Sequence, residues 1–216
     1  MFPFYAKRSK SLPPYAAASG INLCKLHTTA AQFAFAAHWA TITPITTRRR
    51  CMNDMGDEFM QSQGGNNNPF NQDNETSWLD WQRLKHNEEV FRFFKKMISL
   101  RKSHALLGSS TFWREKVQWY GAGHPEVDMS AESQTLAYHL HDPSPATRDL
   151  YVMINGATIP QLFSIHAEPE MTWNRVVDTS LPSPTDLLSP DAEIPLQQNK
   201  YRVNQRSVIV LAQPRG

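Results

Sequence analysis

The spacing of apolar residues changes once along the chain, near Gly108. Before that point, five apolar residues recur at the spacing of one helical face: Val90, Phe93, Phe94, Met97 and Ile98. After it, apolar residues alternate with other residues, first over Thr135–Leu140 and again over Leu150–Ile154. This change of period predicts one amphipathic helix followed by a β domain.

Four other short segments also predict strands: Trp113–Tyr120, Gln161–His166, Thr172–Asp178 and Ser207–Ala212. The last is rich in β-branched residues without interruption, which is typical of a strand covered on both faces. Turns containing Pro, Gly or Asn separate the strands, and no helical period lies between them. The pattern predicts an antiparallel β-sandwich over residues 109–216, preceded by a helix that Asn87 can cap, with Glu88 and Glu89 in its first turn.

The first 50 residues carry seven basic side chains and no acidic one, whereas the other 166 carry 15 basic and 20 acidic side chains. The two parts therefore have formal charges of +7 and −5. An acid-free, basic segment fits an organelle transit peptide, a disordered basic tail or a stretch foreign to the fold. We interpret residues 1–50 as an irregular tail, disordered or non-native, ahead of two further units at 51–108 and 109–216.

Overall charge and cysteine content limit the possible functions. A net charge of +2 gives no overall electrostatic basis for binding nucleic acid. Nucleic-acid binding through the basic tail is the lowest-ranked of the functional hypotheses. Thr28–Ile45, the most apolar stretch, is interrupted by Gln32 and His38, so we expect no membrane span. Cys24 and Cys51 provide no disulfide framework, and the expected location is cytoplasmic. Since no phosphate-binding or metalloprotease motif is found, we assign no cofactor and no metal ligand.

The run from Gln61 to Glu75 is dense in amide and carboxyl groups, and Trp78 and Trp81 follow it. Amides both donate and accept hydrogen bonds, and indole rings stack on flat apolar faces, so this chemistry suits sugar hydroxyls and sugar rings. A polar loop that folds on its own hydrogen bonds explains the composition equally well. A calcium site is a weaker interpretation because the EF-hand spacing is not met.

Two other groupings carry less information. Asp57 and Glu58 are adjacent, and on an extended strand their carboxylates would point to opposite faces, which makes a poor acid–base pair. His139 and His141 share one face of a predicted strand and could hold a metal ion. Two ligands with no third in view do not define a site, so the pattern favours a solvent-facing strand edge.

Three segments resemble the isoamylase and glycogen-debranching branch of the alpha-amylase superfamily: Met55–Phe59, Gln63–Glu75 and Trp78–Trp81. The resemblance implies that Gly56-Asp57-Glu58 closes the last strand of a (β/α)8 barrel and that the amide-rich run forms the next loop, beside the substrate cleft. Residues 51–108 would then be the last βα unit of the barrel, and 109–216 the family's C-terminal β-sandwich. The substrate-binding residues implied are Asn66, Asn67, Asn68, Gln72, Asp73 and Trp78.

By this resemblance, the expected activity is hydrolysis of α-1,6-glucosidic branch linkages in glycogen or related α-glucans. The family's Asp nucleophile, Glu acid and third Asp lie on earlier barrel strands, and none of Asp57, Glu58, Asp73 or Asp80 matches them. We therefore assign no catalytic residue and expect a fragment that is inactive alone. The expected partners are a branched α-glucan and the missing barrel portion as a separate chain.

Two consequences stay open at this point. The alternative function is a non-catalytic glucan-binding or partner-regulating β-sandwich module. In a truncated barrel, the helix face bearing Val90, Phe94 and Met97 would lose its neighbours and form an exposed apolar patch, which predicts aggregation or dependence on a partner fragment.

Overall fold

A computed structural model describes residues 56–104, 107, 116–130, 132–141, 147–166 and 172–214. The predicted tail at 1–50, both cysteines and the apolar stretch Thr28–Ile45 lie outside these residues, and so do Trp113–Glu115, the first three residues of the predicted strand Trp113–Tyr120. Within the described part of the chain, no helix has the length and apolar character that crossing a membrane requires.

Among the described residues, eight strands form two sheets, and every strand pair among them is antiparallel. The strands are β1 (Val117–Tyr120), β2 (Thr135–Leu140), β3 (Leu150–Asn155), β4 (Gln161–Ser164), β5 (Asn174–Asp178), β6 (Ile194–Pro195), β7 (Lys200–Val203) and β8 (Ser207–Ala212). The larger sheet has the order β1-β2-β3-β8-β5-β6, and β4 pairs with β7 in the smaller one. The predicted class, mostly β with antiparallel sheets, is confirmed.

Two α-helices and a 3-10 turn of the described residues precede the sheets, and a second 3-10 turn, Pro190–Ala192, lies between β5 and β6. Asp57–Phe59 forms a 3-10 turn, α1 spans Gln82–His86 and α2 spans Glu88–Ser103, as the apolar spacing predicts. Asn87 adjoins α2, but its side-chain amide donates to the carbonyl oxygens of Phe59 and Arg83, at 3.1 Å each, and makes no side-chain cap. The capping prediction is therefore wrong, since this amide ties α2 to the turn before it.

The predicted extended strand through Asp57 and Glu58 is also wrong. Gly56 has a φ of +99°, and the next three residues form the 3-10 turn. A Cβ added to Gly56 would lie 2.5 Å from the Cβ of Gln61, so only glycine fits this close approach. The turn reverses the chain, so that the Gln61 backbone N–H donates to the Gly56 carbonyl at 2.9 Å.

The central strand β8 is buried along its whole length, which confirms the prediction from its continuous apolar sequence. Val208, Val210 and Ala212 contribute to one hydrophobic cluster, and Ile209 and Leu211 contribute to a second. Alternate residues of a strand face opposite sides of the sheet, so the two clusters lie on its two faces.

The apolar face of α2 packs in the first of these clusters. Val90, Phe94 and Met97 are only 1%, 6% and 6% exposed, and they share the cluster with β-strand residues such as Leu140 and Val152. The expected exposed patch is therefore wrong, and the basis for predicting aggregation is removed, because the sheet itself supplies the apolar partner. The spacing of apolar residues defines a buried face but not the element that covers it.

Polar contacts tie α2 to the segment between β5 and β6. The Arg92 guanidinium donates to both oxygens of Asp186, at 2.5 and 2.6 Å, and the Lys96 ammonium donates to the Leu187 carbonyl at 3.1 Å. Asp186 is fully buried, so its charge is compensated by Arg92 and by the backbone N–H of Leu187. The helix and the β domain therefore form one packed unit.

Candidate glucan-binding loop and histidine cluster

Residues 61–81, here called the amide-rich loop, are closed at their base by Gln61. The side-chain amide of Gln61 donates to the Trp78 carbonyl at 2.8 Å, and its oxygen accepts the Asp80 backbone N–H at 3.0 Å. Arg83 from α1 donates to the Met60 carbonyl at 2.9 Å. One amide side chain thus takes the place of a pair of backbone hydrogen bonds and holds the two ends of the loop together.

Trp78 and Asp73 are brought together within the loop. The indole Nε1–H of Trp78 donates to Oδ1 of Asp73 at 2.7 Å, while 56% of Trp78 stays exposed. The hydrogen bond orients the indole plane without burying it. An oriented, exposed indole with a carboxylate at its edge can stack on a sugar ring and accept from its hydroxyl groups.

The three consecutive asparagines have different environments. Asn66 accepts the backbone N–H of Asn68 through Oδ1, at 3.0 Å, and so forms a local turn. Asn67 and Asn68 are exposed, and no hydrogen bond of either side-chain amide to protein is found among the described residues. Asn66 therefore shapes the loop, whereas Asn67 and Asn68 present donors and acceptors to solvent.

Gln72 also lies in this loop and is half-buried. Its backbone N–H donates to the Pro69 carbonyl at 2.9 Å, and its carbonyl accepts the Ser77 hydroxyl at 2.5 Å. These bonds fold residues 69–77 into a compact bend that carries Asp73 at its turn. The interpretation as a self-bonded polar loop thus holds for Asn66 and for this bend, but not for Asn67 and Asn68.

Exposed aromatic rings accompany the amides. Phe70 is 96% exposed and Trp81 is 63% exposed, and the Trp81 ring lies 5.5 Å from that of buried Phe59. Large exposed apolar side chains clustered beside polar groups are typical of a binding surface. Residues 61–81 therefore present both exposed aromatic rings and amide groups with unused hydrogen-bonding capacity.

No acid–base pair is seen among the described carboxylates of this region. Glu58 accepts the Gly56 backbone N–H at 3.1 Å, the Asp73 carboxylate accepts the Trp78 indole N–H, and Asp80 accepts the Gln82 backbone N–H at 3.0 Å. These carboxylates hold backbone and indole donors in place. These three carboxylates include no nucleophile paired with a proton donor.

The sequence missed the partner of His139 and His141. Nε2 of His139 and Nδ1 of His141 both lie 2.8 Å from the same oxygen, Oδ2 of Asp149. His139 is 4% exposed and Asp149 is 2% exposed, so the interpretation of His139 as solvent-facing is wrong. Asp149 directly precedes β3, and the β2–β3 register places it opposite His141, a pairing that no spacing within one segment reveals.

Comparison with known proteins identifies relatives of the β domain. Residues 118–213 match the family model described as isoamylase 1-3, C-terminal. The chain corresponds to the C-terminal part of an isoamylase-type debranching enzyme. Isoamylase 1, chloroplastic, of Arabidopsis thaliana is 34% identical over 140 residues, which are 63% of this chain and 18% of that protein.

A second isoamylase-type relative is more similar over a shorter stretch. The glycogen operon protein GlgX homolog of Haemophilus influenzae is 48% identical over 127 residues, or 57% of this chain and 18% of that protein. The chain thus spans less than a fifth of the length of either relative. These isoamylase-type proteins extend well beyond the region that is compared.

Solved pullulanase structures share the fold. Pullulanase from Bacillus acidopullulyticus superposes with a TM-score of 0.61 at 20% identity, covering 86% of this chain and 20% of that one. Pullulanase type I from Bacillus subtilis, solved with maltose, gives a TM-score of 0.56 at 16% identity over 73% of this chain and 20% of that one. At these identities the likeness concerns the fold alone.

Proposed function

We propose that this chain contributes a substrate-binding loop and its supporting β domain to an isoamylase-type enzyme that hydrolyses α-1,6-glucosidic branch linkages in glycogen or related α-glucans. The observation that carries the proposal is the oriented, exposed indole of Trp78, held by Asp73 in a loop that also carries exposed Asn67 and Asn68, in a chain with isoamylase-type relatives. The named binding residues stay as predicted: Asn66, Asn67, Asn68, Gln72, Asp73 and Trp78.

Their roles divide by geometry. Trp78 stacks on a glucose ring, while Asn67 and Asn68 exchange hydrogen bonds with its hydroxyl groups. Asp73 positions the indole and accepts from sugar hydroxyls. Asn66 and Gln72 act through the backbone shape that their hydrogen bonds fix. This division predicts graded effects on glucan binding, with direct contacts mattering more than loop-shaping ones.

We further propose that residues 51–108 belong to the last βα unit of a catalytic barrel, with α2 as its helix, and that other parts of the barrel supply the catalytic acids. Support comes from α2, which buries one face against the sheet but leaves Phe91 and Ile98 37% and 39% exposed. These two residues are seven positions apart and share one stripe of the helix, where a further barrel element could pack. The barrel portion could be present as a separate chain.

The polypeptide of these 216 residues is therefore proposed to bind branched α-glucan without hydrolysing it. The test is an assay for reducing ends released from glycogen by the purified polypeptide, with a heat-treated sample as the blank. No release above the blank is the expected result, because the described carboxylates hold structural donors. Clear turnover would contradict the absence of catalytic residues.

Affinity electrophoresis in glycogen-containing gels tests binding separately. Asn67→Ala is expected to weaken retardation, because it removes both hydrogen-bonding atoms of an exposed amide in the loop. Gln198→Ala is the matched control, since it deletes an exposed amide far along the chain near β7. Equal retardation of the wild type and both variants would reject the loop as the binding site.

A second candidate function is a non-catalytic glucan-binding or partner-regulating module. The observation that favours it is the buried face of α2, which lets the described residues form a packed core without further elements. The two functions differ when a catalytic barrel portion is supplied as a separate chain. Hydrolysis of branched glucan restored by mixing supports the debranching function, and binding without restored hydrolysis supports the module.

A further inference from the structure

We propose that His139, His141 and Asp149, here called the histidine cluster, bind a divalent transition-metal cation with the ligand preferences of zinc. The cluster lies on the β2–β3 pair, in the β domain, and takes no part in the loop chemistry described above. Each residue offers one ligand atom, and the three atoms lie within 4.8 Å of one another.

Strand geometry brings the three ligands to one point. His139 and His141 are two residues apart on β2 and its end, so their side chains project from the same face. Leu140 pairs with Leu150, which places Asp149 opposite His141 and diagonal to His139. Cross-strand and diagonal neighbours are within reach of long side chains, so the backbone register itself defines the ligand set.

The distances suit a small cation after a modest adjustment. Both histidine nitrogens lie 2.8 Å from Oδ2 of Asp149, as hydrogen bonds. A tetrahedral zinc ion with bonds of about 2.1 Å keeps its ligand atoms roughly 3.4 Å apart. The oxygen must therefore separate from each nitrogen by about 0.6 Å, and the two nitrogens, which lie within 4.8 Å of each other, must settle at the same spacing. The His141 side chain, 52% exposed, can move by this amount.

The ligand types select the class of metal. Two imidazole nitrogens and one carboxylate oxygen suit zinc and neighbouring transition metals, whereas calcium and magnesium prefer oxygen ligands. A ligating nitrogen carries no proton, so binding places each ring proton on the other ring nitrogen. The cation then takes the position that the two N–H protons occupy between the rings and Asp149.

The surroundings form a built site with one open side. His139 packs edge-on against Trp173, with ring centroids 5.4 Å apart, and lies 6.2 Å from Tyr151. Trp173 and Tyr151 are buried, so the His139 ring lies against an apolar wall. His141 faces solvent, which gives an ion an entry path and leaves room for water as a fourth ligand.

The test is a zinc titration of the tag-free chain by calorimetry, with calcium and magnesium for comparison. His141→Ala removes one ligand at an exposed position, where folding is expected to survive. His124→Ala is the matched control, because His124 is an exposed histidine outside the cluster. Zinc affinity should fall more than about tenfold in His141→Ala and stay unchanged in His124→Ala. Removing a residue that only contacts a metal ligand already lowers metal affinity by about tenfold or more, so removing a ligand should cost at least as much.

A second measurement needs no variant. Imidazole nitrogen resonances of His139 and His141 should shift together on addition of zinc, with those of His124 as the internal reference. Equal zinc affinity in the wild type and His141→Ala, or a titration that leaves both resonances in place, would overturn the proposal. The cluster would then be a hydrogen-bonded clamp between β2 and β3 that holds no metal.

Discussion

The β domain and the amide-rich loop use their residues in opposite ways. Every residue of β8 is buried, and its side chains divide between the hydrophobic clusters on the two faces of the sheet. In the loop, Asn67, Phe70 and Trp78 are exposed, and the shape depends on single polar contacts such as that of Gln61. The packed core thus lies in the sheet and the proposed binding groups lie in the loop, so substitutions are expected to affect stability or glucan binding separately.

The largest effect is expected in the sheet. Leu211→Ala should lower the free energy of unfolding by about 2–5 kcal/mol, because it leaves a cavity at a fully buried position between packed strands. Thermal or denaturant unfolding measures the loss. Leu162→Ala is the control, since Leu162 is 55% exposed on β4. A change below 1 kcal/mol for Leu211→Ala would show that β8 is not the centre of stability.

The next largest loss of stability is expected at the contact between α2 and Asp186. Arg92→Ala should cost about 1.5–3 kcal/mol, the range for hydrogen bonds to charged groups, because it removes two bonds to buried Asp186. Denaturant unfolding of the variant measures this cost. Lys95→Ala removes an exposed charge from the same helix and should stay within about 0.5 kcal/mol. Similar losses in the two variants would mean that the buried pair does not anchor α2.

Alkaline pH should act on the sheet and not on the loop. Burial raises the pKa of Tyr151 from 10.0 to about 12. The unfolded chain therefore loses this proton first, and the stability from neutral Tyr151 is present below pH 10 and lost as pH rises towards 12. Melting temperatures between pH 9 and 12 measure the loss. Tyr151→Phe should reduce the slope, and an unchanged slope would contradict the assignment.

Trp78→Ala should separate the two regions most clearly. Losing an exposed indole should change the unfolding free energy by no more than about 0.5 kcal/mol. Glucan binding should weaken by about 1–2 kcal/mol, or roughly five- to thirtyfold, through lost stacking area. Calorimetry with a branched α-glucan measures the affinity, and Ile159→Ala is the control because Ile159 is 60% exposed away from the loop. Equal binding by both variants would remove Trp78 from the site.

The elements with a strong period could be predicted from the sequence. The spacing from Val90 to Met97 predicted α2, and the uninterrupted apolar run from Ser207 predicted a strand buried on both faces. Local periodicity suffices there because each pattern lies within one segment. The turn at Asp57–Phe59 was missed, since a positive φ at Gly56 and its close approach to Gln61 depend on contacts between segments.

The site residues followed the same rule. Composition identified the amide-rich loop, but it could not separate Asn66, whose oxygen shapes a turn, from exposed Asn67 and Asn68. Asp149 was missed as the partner of His139 and His141 because it lies on the next strand and meets them only through register. Spacing predicts faces of single elements, whereas packing decides which faces meet.

The most direct test of glucan binding by the amide-rich loop is a nuclear magnetic resonance titration with a branched α-glucan oligosaccharide. We predict that the Trp78 indole N–H and the side-chain amides of Asn67 and Asn68 shift with saturation, while the amide resonances of β8 stay in place. Shifts confined to the β strands, or no shift in the loop at saturating glucan, would contradict the claim that the amide-rich loop is the glucan-binding site.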